Sequence, residues 1–157
     1  MSNLMPDQFK VVIYQKKNLS QLISNDFITQ CATKEEFYYE LEKDPSAIKI
    51  LACTQETFLN LPRDLIPPNL MTIYFLIDQS DLTDSFEIVT EDYEGIKISE
   101  QNQLMLHILR KIILCFYRQS LNYKQNDEHG LANACLSVAM DTLHQIKQNQ
   151  EFLCPSI

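Results

Sequence analysis

The chain has 157 residues, which suits one domain with a single hydrophobic core. Its formal net charge of −8 argues against general binding to nucleic acids and to anionic membranes, because both depend on Lys and Arg to neutralise phosphates. Five cysteines occur without a Cys-x-x-Cys pair, so the sequence has neither zinc-ribbon spacing nor a disulfide framework, and we expect a cytoplasmic protein with buried thiols.

The first half of the chain predicts a sheet. Short apolar runs rich in β-branched and aromatic residues predict strands at residues 9–14, 27–31, 47–53 and 70–78. The last of these runs, LMTIYFLID, is almost continuously apolar, which is typical of a central strand covered on both faces. It is therefore predicted to lie inside the sheet.

Helices are predicted between these strands, around residues 20–24, at 34–43 and at 55–61. Thr33 can cap the second helix, and Glu36 stands three residues later, which is the spacing of a capping box. Thr54 can cap the third helix in the same way. Strands and helices therefore alternate, as expected for an α/β domain.

The second half of the chain predicts two strand candidates and two long helices. The runs 86–90 and 95–98 compete for the position of a fifth strand. Helices are predicted from residue 100 to about 124 and from Gly130 to about 148, each with apolar residues at helical spacing. On the first helix this set includes Phe116 and Tyr117, and it is wide enough to indicate burial on more than one side.

The last helix carries small residues that would let it lie close to its neighbour, namely Ala132, Ala134 and Ala139, and its inward face is predicted to include Leu143. The two helices are therefore predicted to form an αα-hairpin packed on the sheet. We expect residues 1–157 to be a single domain, with 8–99 as the α/β part and 100–149 as the hairpin.

The element order over roughly residues 8–99 resembles the receiver domain of two-component signalling, a flavodoxin-like fold. The resemblance implies a three-layer α/β architecture with a mostly parallel five-stranded sheet. Receivers have an acidic pair after strand one, where this chain has Gln15, and a phosphate-accepting aspartate at the end of strand three, where it has Cys53. Asp78 follows strand four, where the family has Thr or Ser; only Lys97 matches a family lysine. We therefore expect no phosphotransfer, no metal and no cofactor.

Cys53 is the candidate nucleophile. It is predicted at the C-terminal end of a strand and just before a helix, where α/β sheets form crevices and where a helix dipole lowers a thiol pKa. His107 is the candidate base. The alternative for Cys53 is a small buried apolar side chain. With only two glycines, the chain has neither of the two glycine-rich phosphate-binding motifs of α/β domains.

Two groups of residues are candidate binding sites. Thr54, Gln55 and Asp78 are predicted at the strand-end crevice, where a small ligand could bind. Glu91 and Asp92 belong to an acidic run that fits either a basic protein segment or a solvated edge.

Tyr39 is a candidate contact residue, because three consecutive rings at positions 37–39 cannot all point inward from one helix. We interpret the chain as a non-catalytic, regulatory protein-interaction module of receiver-like fold, an adaptor or assembly component in signalling. Its partner would be a protein, with a basic protein as one candidate. A homo-oligomer is the other arrangement that the sequence allows. The alternative is a small cysteine-dependent enzyme or redox sensor that uses Cys53.

Overall fold

The computed structural model describes residues 9–15, 25–77, 87–89, 94–98 and 101–153. Contacts divide the chain into two compact units. The α/β unit lies within residues 7–100, and the helical unit begins at Gln101. The expectation that both form a single domain stays a prediction. The helix expected around residues 20–24 lies outside the described residues.

The α/β unit contains strands and short helices in the order that the sequence predicts. Their bounds are β1 (Phe9–Tyr14), β2 (Ile28–Cys31), α1 (Lys34–Glu42), β3 (Ile48–Cys53), α2 (Gln55–Leu59), β4 (Leu70–Leu76), β5 (Glu87–Val89) and β6 (Glu94–Ile98). A single 3-10 turn, Arg63–Leu65, lies between α2 and β4.

The strands form one sheet in the order β2-β1-β3-β4-β6-β5. The first five of these are parallel, and β5 pairs antiparallel with β6 at the edge. The order of the five parallel strands is compatible with a flavodoxin-like fold. Both candidates for the fifth strand are therefore strands: β6 takes that position and β5 extends the sheet to six. The α/β class, with five parallel strands in one sheet and a C-terminal helical pair, is confirmed.

Apolar side chains of the central strands form a buried cluster on one face of the sheet. Val12, Leu51 and Ile73, one residue from each of β1, β3 and β4, have no exposed surface and belong to one apolar cluster. The helices add aromatic rings to the same cluster. Phe37 of α1 stacks on Tyr14 with 5.1 Å between ring centroids, and Phe58 of α2 meets Phe75 edge-on at 5.8 Å. Helices α1 and α2 therefore cover one face of the sheet.

The N-terminus of α1 has the predicted cap. The hydroxyl of Thr33 accepts a hydrogen bond from the Glu36 backbone N–H at 3.2 Å. The Glu36 carboxylate accepts one from the Ala32 backbone N–H at 3.3 Å, one residue earlier than in a standard capping box. Two backbone donors at the start of the helix are thereby satisfied.

The C-terminus of α1 is held by a lysine from the sheet. Lys49 of β3 is fully buried, and its Nζ donates to the carbonyl oxygens of Leu41 at 2.9 Å and Lys43 at 2.8 Å. Burial lowers the pKa of this ammonium group. Because carbonyls at a helix C-terminus carry partial negative charge, they are suitable partners for a buried cation.

The helical unit consists of α3 (Gln101–Gln125), α4 (His129–Gln148) and the short α5 (Gln150–Leu153). Helices α3 and α4 pack along each other as an αα-hairpin. The turn between them is a Schellman motif, in which the Glu128 N–H donates to the Tyr123 carbonyl and the Asp127 N–H to the Lys124 carbonyl. Asp127 has φ 58°, a left-handed conformation that favours glycine.

Small residues line the contact face of α4, partly as predicted. Ala132, Cys135 and Ala139 are buried, but Ala134 and Leu143, which were also expected to point inward, are exposed. Two helices bury only the facing strips of each other, and these two residues lie outside that strip. In the described part of the chain, no helix is both long and apolar enough to cross a membrane.

Candidate functional site

Cys53, the candidate nucleophile, is buried at the end of its strand. Cys53 ends β3 opposite Phe75 of β4 and has no exposed surface. Burial raises the pKa of its thiol to about 12. Helix α2, which follows Cys53, has only five residues, so its dipole is small beside the cost of burying a thiolate. The thiol is therefore protonated at neutral pH.

The two residues that follow Cys53 differ in how they are placed. The hydroxyl of Thr54 accepts a hydrogen bond from the Thr57 backbone N–H at 3.1 Å and donates one to Thr57 Oγ1 at 2.8 Å. It is thus engaged as the N-cap of α2, as the sequence predicts. Gln55 is exposed. Their predicted role in ligand binding stays a prediction.

The predicted pairing of His107 with Cys53 stays a prediction. His107 lies on an exposed position of α3, in the helical unit, whereas Cys53 belongs to the α/β unit. Asp78, Glu91 and Asp92 lie outside the described residues. Among the described residues, no group of three or more His, Cys, Asp or Glu side chains could hold a metal ion.

The other described cysteines also have raised pKa values. Cys31 is buried, and burial together with the charges of Glu40 and Glu36 raises its pKa to about 11. Burial likewise raises the pKa of Cys135 and Cys115, although for Cys115 the nearby basic side chains act in the opposite direction. Cys115 is only partly buried, so it is the most accessible of these thiols.

Tyr39 is on the surface of the α/β unit, which confirms the prediction that one of the three consecutive rings is exposed. Its exposed fraction is 62%, whereas Phe37 is buried and Tyr38 is partly buried. The ammonium group of Lys43 lies 6.0 Å from the centroid of the Tyr39 ring. This cation–π contact covers only part of the ring.

Within its described residues, the helical unit exposes six large apolar side chains, a surface that the sequence did not predict. We call Leu114, Tyr117 and Leu121 the α3 stripe, and Leu136, Met140 and Leu143 the α4 stripe. Their exposed fractions run from 37% for Leu143 to 58% for Met140. Residues three or four positions apart lie on one side of a helix, so each stripe forms a row.

The α3 stripe corrects the expectation that Tyr117 is buried with the other apolar residues of this helix. Tyr117, predicted as part of the apolar set, is 48% exposed, whereas its neighbour Phe116 has no exposed surface. The apolar residues of α3 extend around more of the helix than one neighbouring helix covers, and that width was the signal for an additional surface.

Basic side chains flank the α3 stripe. Helix α3 contains Arg110, Lys111, Arg118 and Lys124 and no acidic residue, in a chain whose net charge is −8. Arg110, Arg118 and Lys124 are exposed. Within the described part of the chain, no carboxylate forms an ion pair with Arg110 or Arg118. The exposed face of α3 therefore combines apolar area with positive charge that no carboxylate of the described residues pairs.

Comparisons with known proteins add no relative. No protein-family model matches this sequence, and no curated protein or solved structure is significantly similar to it. A function has to be argued from the fold and from the surfaces described above.

Proposed function

We propose that the chain is a non-catalytic protein-interaction module of receiver-like fold that acts as an adaptor, regulator or assembly component. The observation that carries this proposal is the pair of exposed apolar stripes on α3 and α4. The strand order, compatible with a flavodoxin-like fold, supports the receiver-like part of the proposal.

The spacing of the stripes fits protein recognition. Helical partners are commonly bound through apolar anchors at i, i+3 or i+4, and i+7. Leu114, Tyr117 and Leu121 have this spacing, and so have Leu136, Met140 and Leu143. Scattered single apolar residues on a surface need no explanation, but three in a row along one side of a helix form an apolar strip.

The size of the apolar contribution limits what such a surface could do alone. Full burial of a Leu or Met side chain stabilises by about 1.5–3 kcal/mol, and these side chains are already about half buried. Covering all six would therefore contribute about 6 kcal/mol, before the cost of association is subtracted. Apolar contact alone supports only weak binding, so polar or charged groups near the stripes have to contribute.

The alternative function, a cysteine-dependent enzyme or redox sensor, stays a prediction. It requires a thiolate at Cys53, because the thiolate is the nucleophile. Burial of this side chain and the rise of its pKa to about 12 act against a thiolate at neutral pH. The described structure therefore favours the interaction module.

The proposal is tested by removing the stripes without disturbing the fold. The full chain carrying Leu121→Ser and Met140→Ser should lose a protein that co-purifies with the wild type from the producing cells. Leu59→Ser is the matched control, because Leu59 is 71% exposed on α2 in the α/β unit. Co-purification that is equal in wild type, double variant and control would contradict the proposal.

Thermal unfolding of the same proteins shows whether the stripes hold the fold instead. Exposed substitutions usually change stability by less than about 0.5 kcal/mol, whereas core truncations of Leu or Met cost about 2–5 kcal/mol. We expect the smaller change. A loss in the core range would mean that the stripes are structural and would refute the argument.

A further inference from the structure

Resting on the proposed function, we infer that the exposed face of α3 binds an acidic amphipathic helix of a partner protein. We call this surface the α3 face and define it as Arg110, Leu114, Tyr117, Arg118, Leu121 and Lys124. The inference specifies the chemistry of the partner from the arrangement of charge and apolar area on this face.

The geometry of the α3 face matches a helix of about four turns. From Arg110 to Lys124 the helix rises about 21 Å, and its apolar centre, Leu114 to Leu121, spans about 10 Å. Basic side chains stand at both ends of this centre, and Arg118 lies within it. A complementary partner would place leucine-like residues opposite the centre and carboxylates at both ends.

The charge of the α3 face indicates acidic groups on the partner. Arg110 and Arg118 pair with no carboxylate of the described residues, and their guanidinium groups remain charged at every physiological pH. Guanidinium groups bind carboxylates through two parallel hydrogen bonds. Acidic residues of the partner that flank the apolar contact would add binding free energy, which the leucines of the α3 face, already about half buried, supply only in part.

A second copy of this chain fits the α3 face less well. A two-fold interface uses the same surface of both protomers. Because α3 has basic residues and no acidic ones, pairing of two α3 faces would bring like charges together.

Nucleic acids and anionic membranes are also less suitable occupants. An anionic membrane or a nucleic acid presents an extended negative surface to the whole chain, whose net charge is −8, whereas a short acidic helix meets only the α3 face. Leu114 and Leu121 would gain nothing against a sugar–phosphate backbone, which offers no apolar surface to cover them. The partner also differs from the basic one expected for Glu91 and Asp92, which lie outside the described residues.

The test is a selection followed by binding measurements on the full chain. The probe is a displayed library of 16-residue helical peptides with leucines fixed at i, i+3 or i+4, and i+7, and with Glu, Lys, Gln or Ser at every other position. We expect selected peptides to be net negative, with Glu flanking the leucines. Selection of neutral or basic peptides would overturn the inference.

Charge-reversal variants locate the binding site. For a selected acidic peptide, Arg118→Glu should weaken binding measured by fluorescence anisotropy by about tenfold or more, because an attraction becomes a repulsion. Arg63→Glu is the matched control, since Arg63 is exposed in the α/β unit and the change in net charge is the same. Equal weakening by both variants would show that only overall charge matters, which would overturn the inference.

Three further measurements separate the other occupants. The inference would be overturned if phosphatidylserine vesicles or a 20-base-pair DNA bound in an Arg118-dependent way while acidic peptides did not bind. It would also be overturned by a concentration-dependent dimer that Arg118→Glu stabilises. If no acidic peptide binds but the stripe variants still lose their co-purifying protein, the proposed function stands and this inference is wrong. If both fail, both are wrong.

Discussion

Alkylation of Cys53 in the native protein should be at least about a thousand times slower than in the unfolded chain at neutral pH. The pKa rises from 9.0 to about 12 on folding, which lowers the thiolate fraction about a thousandfold, and only the thiolate reacts. The side chain also has no exposed surface, so reagent reaches it only when the sheet opens locally. The measured ratio of unfolded to native alkylation rates should therefore exceed the thousandfold that follows from the pKa alone.

The assay is pulse labelling with iodoacetamide, native and denatured, followed by peptide mass spectrometry that maps each labelled cysteine. Cys115 is the internal reference, because it is partly exposed and the charges of Lys111 and Arg118 oppose the effect of its burial. We expect Cys115 to label faster than Cys53 in the native protein. Native labelling of Cys53 that is as fast as that of Cys115 would refute the reasoning and favour the cysteine-dependent alternative.

Three further predictions concern stability. Lys49→Met should lower the free energy of unfolding by about 1–3 kcal/mol in chemical denaturation, because two carbonyls at the end of α1 lose their donor. Lys10→Met, which removes a partly exposed ion pair with Asp44, should have a smaller effect, and equal losses would contradict this account of Lys49. Asp127→Gly should raise the free energy of unfolding by about 0.5–1 kcal/mol, because glycine adopts φ 58° without strain. The expected result is a higher melting temperature. A lower melting temperature would show that the contribution of the Asp127 side chain exceeds the cost of its backbone strain. The pKa of Cys53 is higher in the folded than in the unfolded protein, so its contribution to stability is complete below pH about 9 and is lost as pH rises towards about 12. Over this range the free energy of unfolding should fall more steeply for wild type than for Cys53→Ala, by up to about 1.4 kcal/mol per pH unit. Parallel declines of the two proteins would contradict the raised pKa.

The sequence predicted the elements whose signals are local. Strands β1, β3 and β4 are short, mostly apolar runs, and their predicted bounds agree with the structure to within two residues. Thr33 and Thr54 were recognised as N-caps because a cap depends only on the residues beside it. The competition between residues 86–90 and 95–98 could not be decided, since strand pairing depends on distant segments.

Side-chain burial was less predictable than secondary structure. Tyr117 and Leu143 have the helical spacing of core residues, yet they are exposed because coverage depends on which element packs against each side of the helix. Lys49 shows the opposite case, a charged residue that is buried because the end of α1 lies within reach of its Nζ. Neither result follows from hydrophobic periodicity, and the α3 face was missed for the same reason.

The measurement that tests the central claim most directly is site-specific photo-crosslinking of the full chain in the cells that produce it. A photoreactive amino acid replaces Tyr117, Met140 or the control residue Leu59, all of which are exposed. The account predicts that the probes at positions 117 and 140 capture the same protein and that the probe at 59 does not. Capture of no protein at positions 117 and 140, or of the same proteins at all three positions, would contradict it.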